Sequence, residues 1–225
     1  MAARLIGMMV SEGFEIYTRP YELNLVGLRA DSNAAGRFDD HFFVFYRTQN
    51  GNWQSHLFPI TTDPGTFWLT NPMLPSGTSI LKEGQYKATY MIGLHKNKYR
   101  ALVQRKPVTV IRDYNRNAVL DFNNGKEETG FFGINIHRAI ENGVALITDR
   151  SSAGCQVFAS ATEFDQFMHL CEEHARLYGN QFSYTLIDRR AWNRKFKRQK
   201  TYFLTAAATL AITVTLMMYR YKKQL

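Results

Sequence analysis

The sequence predicts a mainly β fold of the α+β class, with a helix on each flank and one C-terminal transmembrane helix. Three observations carry this expectation. Short aromatic and β-branched runs recur along residues 21–187, separated by Gly, Pro and Asn turn signals. Helical periodicity is confined to the first dozen residues and to a stretch after Ser160. Residues 201–219 carry no charge at all. The chain has 225 residues, 45% of them hydrophobic, which suffices for one domain with its own core.

The elements follow in order. Leu5 to Val10 is a short apolar run closed by Ser11-Glu12-Gly13, read as a first amphipathic helix; it is too short for the hydrophobic region of a signal peptide. Tyr21 to Arg29 alternates as a strand, and Asp31 to Asp40 is a polar loop. His41 to Arg47 and Trp53 to Ile60 are β-rich runs joined across Gln49-Asn50-Gly51-Asn52, a hairpin signal. Thr61 to Tyr90, punctuated by Pro64-Gly65, Pro72, Pro75, Gly77 and Gly84, reads as one long irregular loop.

Strands are expected again at Tyr90 to Leu94, Ala101 to Gln104 and Val108 to Arg112. A polar loop from Asp113 to Thr129 leads into a strand from Gly130 to His137. Asp113, Asn115, Asn117 and Asp121 have a calcium-loop flavour, but Ala118 stands where a Gly is needed and Asn124 where a Glu belongs. A solvated turn is therefore the reading, and no metal is expected. Val144 to Thr148 is a short apolar run. Ser160-Ala161-Thr162-Glu163 is a capping box opening a helix to Tyr178, with Gly179-Asn180 as its stop, and Gln181 to Ile187 is the last strand.

The formal charge of +9 belongs to the tail. Ten of the 28 Lys and Arg lie between Arg189 and Leu225, where there is no Asp or Glu, leaving 18 basic against 19 acidic groups in residues 1–188. A nearly neutral body has no phosphate-tracking surface, so nucleic acid is not an expected partner. Thr201 to Tyr219 would span roughly 28 Å as a helix, about one hydrocarbon core. The organisation expected is a domain over 1–188, a basic juxtamembrane linker over 189–200, a span over 201–219 and a basic tail over 220–225. Seven basic residues precede the span and three follow it, which places the body on the cytoplasmic side.

Two cysteines cannot build a disulfide framework. Cys171 shares a helical face with Phe164, Phe167, Met168 and Ala175 and reads as a core residue. Cys155 has no periodic context. It ends Ser151-Ser152-Ala153-Gly154-Cys155-Gln156, a small-residue turn, while His137 ends Gly133-Ile134-Asn135-Ile136-His137-Arg138. A thiol is mostly protonated at neutral pH, and a nearby imidazole is its usual base. Cys155 as nucleophile, His137 as base and the N–H groups around Gly154 as oxyanion donors form the expected catalytic set. Ser152 is expected to orient the imidazole or bond a substrate amide. Asn135 and Gln156 are candidate substrate contacts. His95, ending Met91-Ile92-Gly93-Leu94-His95, is either a surface histidine or a further member of the site.

Seventeen residues separate His137 from Cys155 and fourteen separate it from Ser152. This arrangement resembles the L,D-transpeptidase catalytic domain, whose signature is a His, fourteen to seventeen residues, then Ser/Thr-His-Gly-Cys. Thr61-Thr62-Asp63-Pro64-Gly65-Thr66-Phe67 is similar to that family's approach to its active site. The chain departs from the pattern at Ala153, where the family has a second His, at Arg138, where it has Gly, and at Val157, where it has Arg or Asn. It thus resembles a divergent, phage-type branch.

The resemblance implies a β-sandwich and peptidoglycan stem peptides as partners. It also implies acyl transfer or hydrolysis at an L–D linkage through a thioester on Cys155, with no cofactor. A cytoplasmic body would sit away from mature peptidoglycan, so a late-released lysis protein, a virion-associated membrane or an inverted topology would each reconcile the two. The rival reading is a catalytically inactive, membrane-tethered module that binds wall peptides or a protein.

Overall fold

A computed structural model describes residues 2–123 and 125–193. The expected transmembrane helix and most of the basic linker lie outside these residues. Among the described residues no helix is long and apolar enough to cross a membrane. The chain divides after Asp188, and the first unit is Met1–Asp188.

The first unit is mainly β, and the class expected from the sequence holds, with strand outweighing helix 39% to 19%. It begins with α1 (Ala2–Ser11), which buries Leu5, Met8 and Met9 along one face and ends where Gly13 takes a left-handed φ of 71°. The strands are β1 (Asn24–Arg29), β2 (Asp40–Arg47), β3 (Trp53–Thr61), β4 (Thr78–Leu81), β5 (Gly84–His95), β6 (Tyr99–Gln104), β7 (Val108–Asp113), β8 (Glu127–Gly130), β9 (Ile136–Arg138), β10 (Gln156–Phe158) and β11 (Phe182–Asp188). The helices α2 (Thr66–Thr70) and α3 (Ala161–Tyr178) complete it.

In place of two open layers, the larger sheet closes on itself as an eight-stranded barrel in the order β1-β11-β5-β6-β9-β10-β3-β2, beside a three-stranded sheet β4-β7-β8. Most pairings are antiparallel, but β1–β11 and β9–β10 are parallel. Phe42, Phe158, Phe164, Phe167 and Tyr184 belong to one core that the barrel strands share with α3. Phe42 stacks on Tyr184 at 5.6 Å and Phe158 on Phe167 at 5.0 Å. The helix α3 starts and stops where its caps require. Ser160 accepts the Glu163 N–H at its N-terminus, and Gly179 (φ 86°) closes the other end.

Several boundaries differ from expectation. Tyr21 sits at φ 61°, which keeps residues 21–23 out of β1. The long loop expected over 61–90 contains α2, β4 and the first half of β5. All four residues of β4 are buried, so they carry no alternation. The alternation of β5 is interrupted by an irregularity at Ala88 (φ 47°), where its register against β11 shifts. The polar loop over 113–129 ends in β8, a half-exposed polar strand paired with β7. Its Asn115, Asn117 and Asp121 side chains accept the loop's own N–H groups.

The strand expected over 130–137 shrinks to Ile136–Arg138. Upstream, the Gln104 side chain accepts the Phe132 and Ile134 N–H groups, replacing a ladder. Val144 to Thr148 forms only a bridge from Val144 to Ser160. Its Leu146 and Ile147 are 89% and 67% exposed.

A buried polar cluster braces the approach to the candidate site. Arg29, fully buried, pairs with Asp63 (2.9 Å) and donates to the Thr62 hydroxyl and to the Leu81 carbonyl. Asp40 accepts both the N–H and the hydroxyl of Thr62. The segment held this way ends at Gly65, whose N–H donates to the Ser152 carbonyl. The Thr61–Phe67 stretch singled out in the sequence therefore lies directly against the cysteine turn.

Candidate functional site

The parallel pair β9–β10 assembles the site. Gln156 pairs with Ile136 and Val157 with His137, so Cys155 lies level with Asn135 just before its strand begins. Side chains two residues apart on a strand share a face about 7 Å along. Cys155 and His137 are thus brought to one side of the sheet from positions eighteen residues apart. The Cys155 sulfur accepts the Asn135 N–H at 3.4 Å and donates to the Gly133 carbonyl at 3.3 Å. Among the described residues, neither imidazole is hydrogen-bonded to the sulfur.

His137 is buried, and its Nδ1 lies 2.8 Å from the Arg138 carbonyl. That oxygen only accepts, so Nδ1 carries the proton and Nε2 is the basic nitrogen. The Tyr99 hydroxyl donates to the same carbonyl and lies 3.3 Å from Nδ1. His95, from the end of β5, is not a surface histidine: it is buried and stacks on His137 with ring centroids 4.0 Å apart. Asn135 explains its protonation. The Asn135 Oδ1 accepts the Gln104 N–H, which fixes the amide and aims its Nδ2 donor at His95 Nδ1. The His95 proton therefore sits on Nε2.

Burial dominates the electrostatics. It holds the pKa of His137 down at about 3, assisted by His95, and that of His95 at about 4, assisted by Lys96. Burial also pushes the Cys155 thiol up, against the opposing pull of the Asn135 N–H and the Lys96 charge. At neutral pH the resting site therefore holds a neutral thiol and two neutral imidazoles. Moving the thiol proton to His137 is therefore uphill in this resting state, because burial disfavours both the thiolate and the imidazolium.

The turn before the sulfur is built by close approach. Gly154 has φ 119°, and a Cβ there would lie 2.1 Å from the Ser79 carbonyl oxygen. Ser152, fully buried, donates to the Cys155 carbonyl and accepts the Gly154 N–H. Its hydroxyl is spent inside the turn and reaches neither the imidazole nor the cavity. With the Gly154 N–H committed, the Cys155 N–H remains for an oxyanion; no intramolecular acceptor takes it among the described residues. Gln156 points into the barrel, where it accepts the Tyr184 hydroxyl at 2.7 Å, and so is not a cavity contact.

Cys155, His137, His95, Asn135 and Ala153 all line one cavity of about 580 Å³. Trp68, Met73, Leu74 and Phe131 supply its apolar walls, and Lys96, Arg112 and Arg150 its cations. Sequence reading missed Tyr99, Gln104 and Lys96. The first two act by holding backbone or an imidazole, roles that only a three-dimensional neighbour reveals. Lys96 had a signal: Lys96-Asn97 is a turn dipeptide beside a strand-ending histidine. Among the described residues no group of three His, Cys, Asp or Glu is placed to hold a metal ion.

Compared with family models, with curated proteins and with solved structures, the chain matches none.

Proposed function

We propose that the protein is a membrane-tethered, L,D-transpeptidase-like cysteine enzyme that acts on peptidoglycan stem peptides by acyl transfer or hydrolysis. The carrying observation is one cavity lined by both the Cys155 thiol and His137, whose Nδ1 is tied to a carbonyl so that Nε2 is left to accept a proton. In this reading the Cys155 sulfur attacks the carbonyl of an L–D linkage as its proton passes to His137. The oxyanion forms at the Cys155 N–H, the leaving amine takes the proton back, and an amine or water resolves the thioester. The finer fold assignment, an L,D-transpeptidase-like relative, belongs to the same proposal and rests on the His-x14-Ser-Ala-Gly-Cys spacing. Tethering through residues 201–219 rests on their uncharged run and its basic flanks.

A second reading, an inactive wall-binding module, is favoured by the raised thiol and by a sulfur whose hydrogen bonds go to Asn135 and Gly133. The two separate in one experiment. The full chain and its Cys155→Ser variant are incubated with defined muropeptides and the products followed by mass spectrometry. Turnover by the wild type and none by the variant supports the enzyme. Equal turnover removes it, and binding without turnover by either form favours the module.

A further inference from the structure

We propose that Lys96 forms an anion-binding subsite beside Cys155, so that the ligand of this cavity carries a carboxylate within a few bonds of the carbon the sulfur attacks. The inference deepens the enzymatic reading, since it names the chemistry of the ligand.

Four observations converge on it. No Asp or Glu is among the residues lining the cavity. Of the three cations there, Arg112 is neutralised by Glu128, with contacts of 2.8 and 2.9 Å, and is further bound to the Ser79 hydroxyl. Arg150 lies 3.8 Å over the face of Phe67. Lys96 pairs with no carboxylate among the described residues, and its charge is felt at His95, His137 and Cys155 alike. Because both imidazoles are neutral, it is the fixed positive charge that the sulfur senses.

The backbone supplies the fourth observation. Lys96 and Asn97 occupy left-handed φ values of 50° and 57° in the tight turn between β5 and β6. Asn and Gly fill such positions at least cost. A lysine there carries strain of order 1 kcal/mol at a position that lines the cavity beside Cys155, the pattern of strain held at a functional position.

The test uses two alkylating probes that differ only in charge, iodoacetate and iodoacetamide. Each forms an S–C bond at the thiolate and expels iodide. The ratio of their rates at Cys155 is measured on the full chain at pH 8.5 by mass spectrometric mapping, which separates Cys155 from the buried Cys171. A nearby cation favours the anionic probe, so Lys96→Asn should lower the iodoacetate-to-iodoacetamide ratio by roughly three- to tenfold. Added salt should shrink the wild-type preference, and Lys96→Arg should restore it. Asn suits the left-handed turn, so this variant is expected to fold at least as well as the wild type.

An unchanged ratio in Lys96→Asn overturns the proposal. So does an equal fall in Arg150→Gln, which would show that the preference reflects the cavity's summed charge and not Lys96. Neither probe requires turnover, so loss of this inference is distinguishable from loss of the enzymatic reading, which the muropeptide experiment decides.

Discussion

His95 and His137 stack with ring centroids 4.0 Å apart and 21° between their planes, two buried imidazoles drawn from strands β5 and β9. Stacked rings this close cannot both accept a proton without strong repulsion, and burial penalises even the first. The pair is therefore a neutral unit in the lining of the cavity.

The stability of the fold should fall in mild acid because of this pair. Folded-state values of about 4 and about 3 lie below the ordinary histidine value of 6.5. The unfolded chain then binds more protons as pH drops below 6.5, and stability that is full above 6.5 is lost progressively toward 4 and 3. Each histidine contributes a loss of about 2 kcal/mol between pH 7.5 and pH 5. Urea unfolding at the two pH values measures it. His95→Gln should remove about half of the difference, and a variant as pH-sensitive as the wild type would contradict the assignment.

The resting thiol should behave as an unactivated one. Burial raises Cys155 above an ordinary cysteine, and no imidazolium stands beside it to form an ion pair. The pH profile of iodoacetamide alkylation should therefore have its midpoint above that of a free cysteine in a control peptide. His137→Gln should leave this midpoint in place while abolishing muropeptide turnover. A midpoint near neutrality that His137→Gln shifts upward would instead indicate a preformed thiolate–imidazolium pair.

Two glycines with left-handed backbones should respond differently to alanine. At Gly154 the new Cβ meets the Ser79 carbonyl oxygen at 2.1 Å, whereas at Gly143 (φ 82°) it meets nothing within 4 Å. Gly143→Ala should cost only the left-handed penalty of about 1 kcal/mol. Gly154→Ala adds a backbone clash and should cost about 2–4 kcal/mol, displacing the sulfur as well. Denaturation midpoints of the two variants provide the comparison.

Ser152→Ala should act on stability before it acts on binding. The hydroxyl donates to the Cys155 carbonyl and accepts the Gly154 N–H inside a buried turn, so its removal leaves both groups without their partner. The expected cost is about 1–3 kcal/mol. If the enzyme turns over muropeptide, KM should stay near its wild-type value, because Ser152 does not line the cavity. A large rise in KM with unchanged stability would return Ser152 to the role of a substrate contact.

Local chemistry determined a good part of this molecule. The bounds of α3 follow from the Ser160 cap and Gly179, the β2–β3 hairpin from Asn50-Gly51, and the β-rich class from the runs themselves, because caps and turns act within a few residues. Cys155 and His137 do line one cavity; residue type and the small-residue turn drew attention to them, whereas the strand expected to end at His137 is instead Ile136–Arg138, with His137 at its centre. Tertiary structure alone decided the rest. Closure of the barrel joins β1 to β11 across the whole domain, and no local pattern encodes such a contact. Strands of three or four residues, such as β4 and β9, are too short to show alternation, least of all when every side is covered.

Orientation was decided in the same way. Gln156 turned into the barrel toward Tyr184 and Ser152 into its own turn, while His95, from a different hairpin, came to lie on His137. A sequence states which groups are present and what their nearest neighbours allow. Which of them face each other depends on register and closure between distant strands, where burial of the shared core outweighs any preference of the single residue.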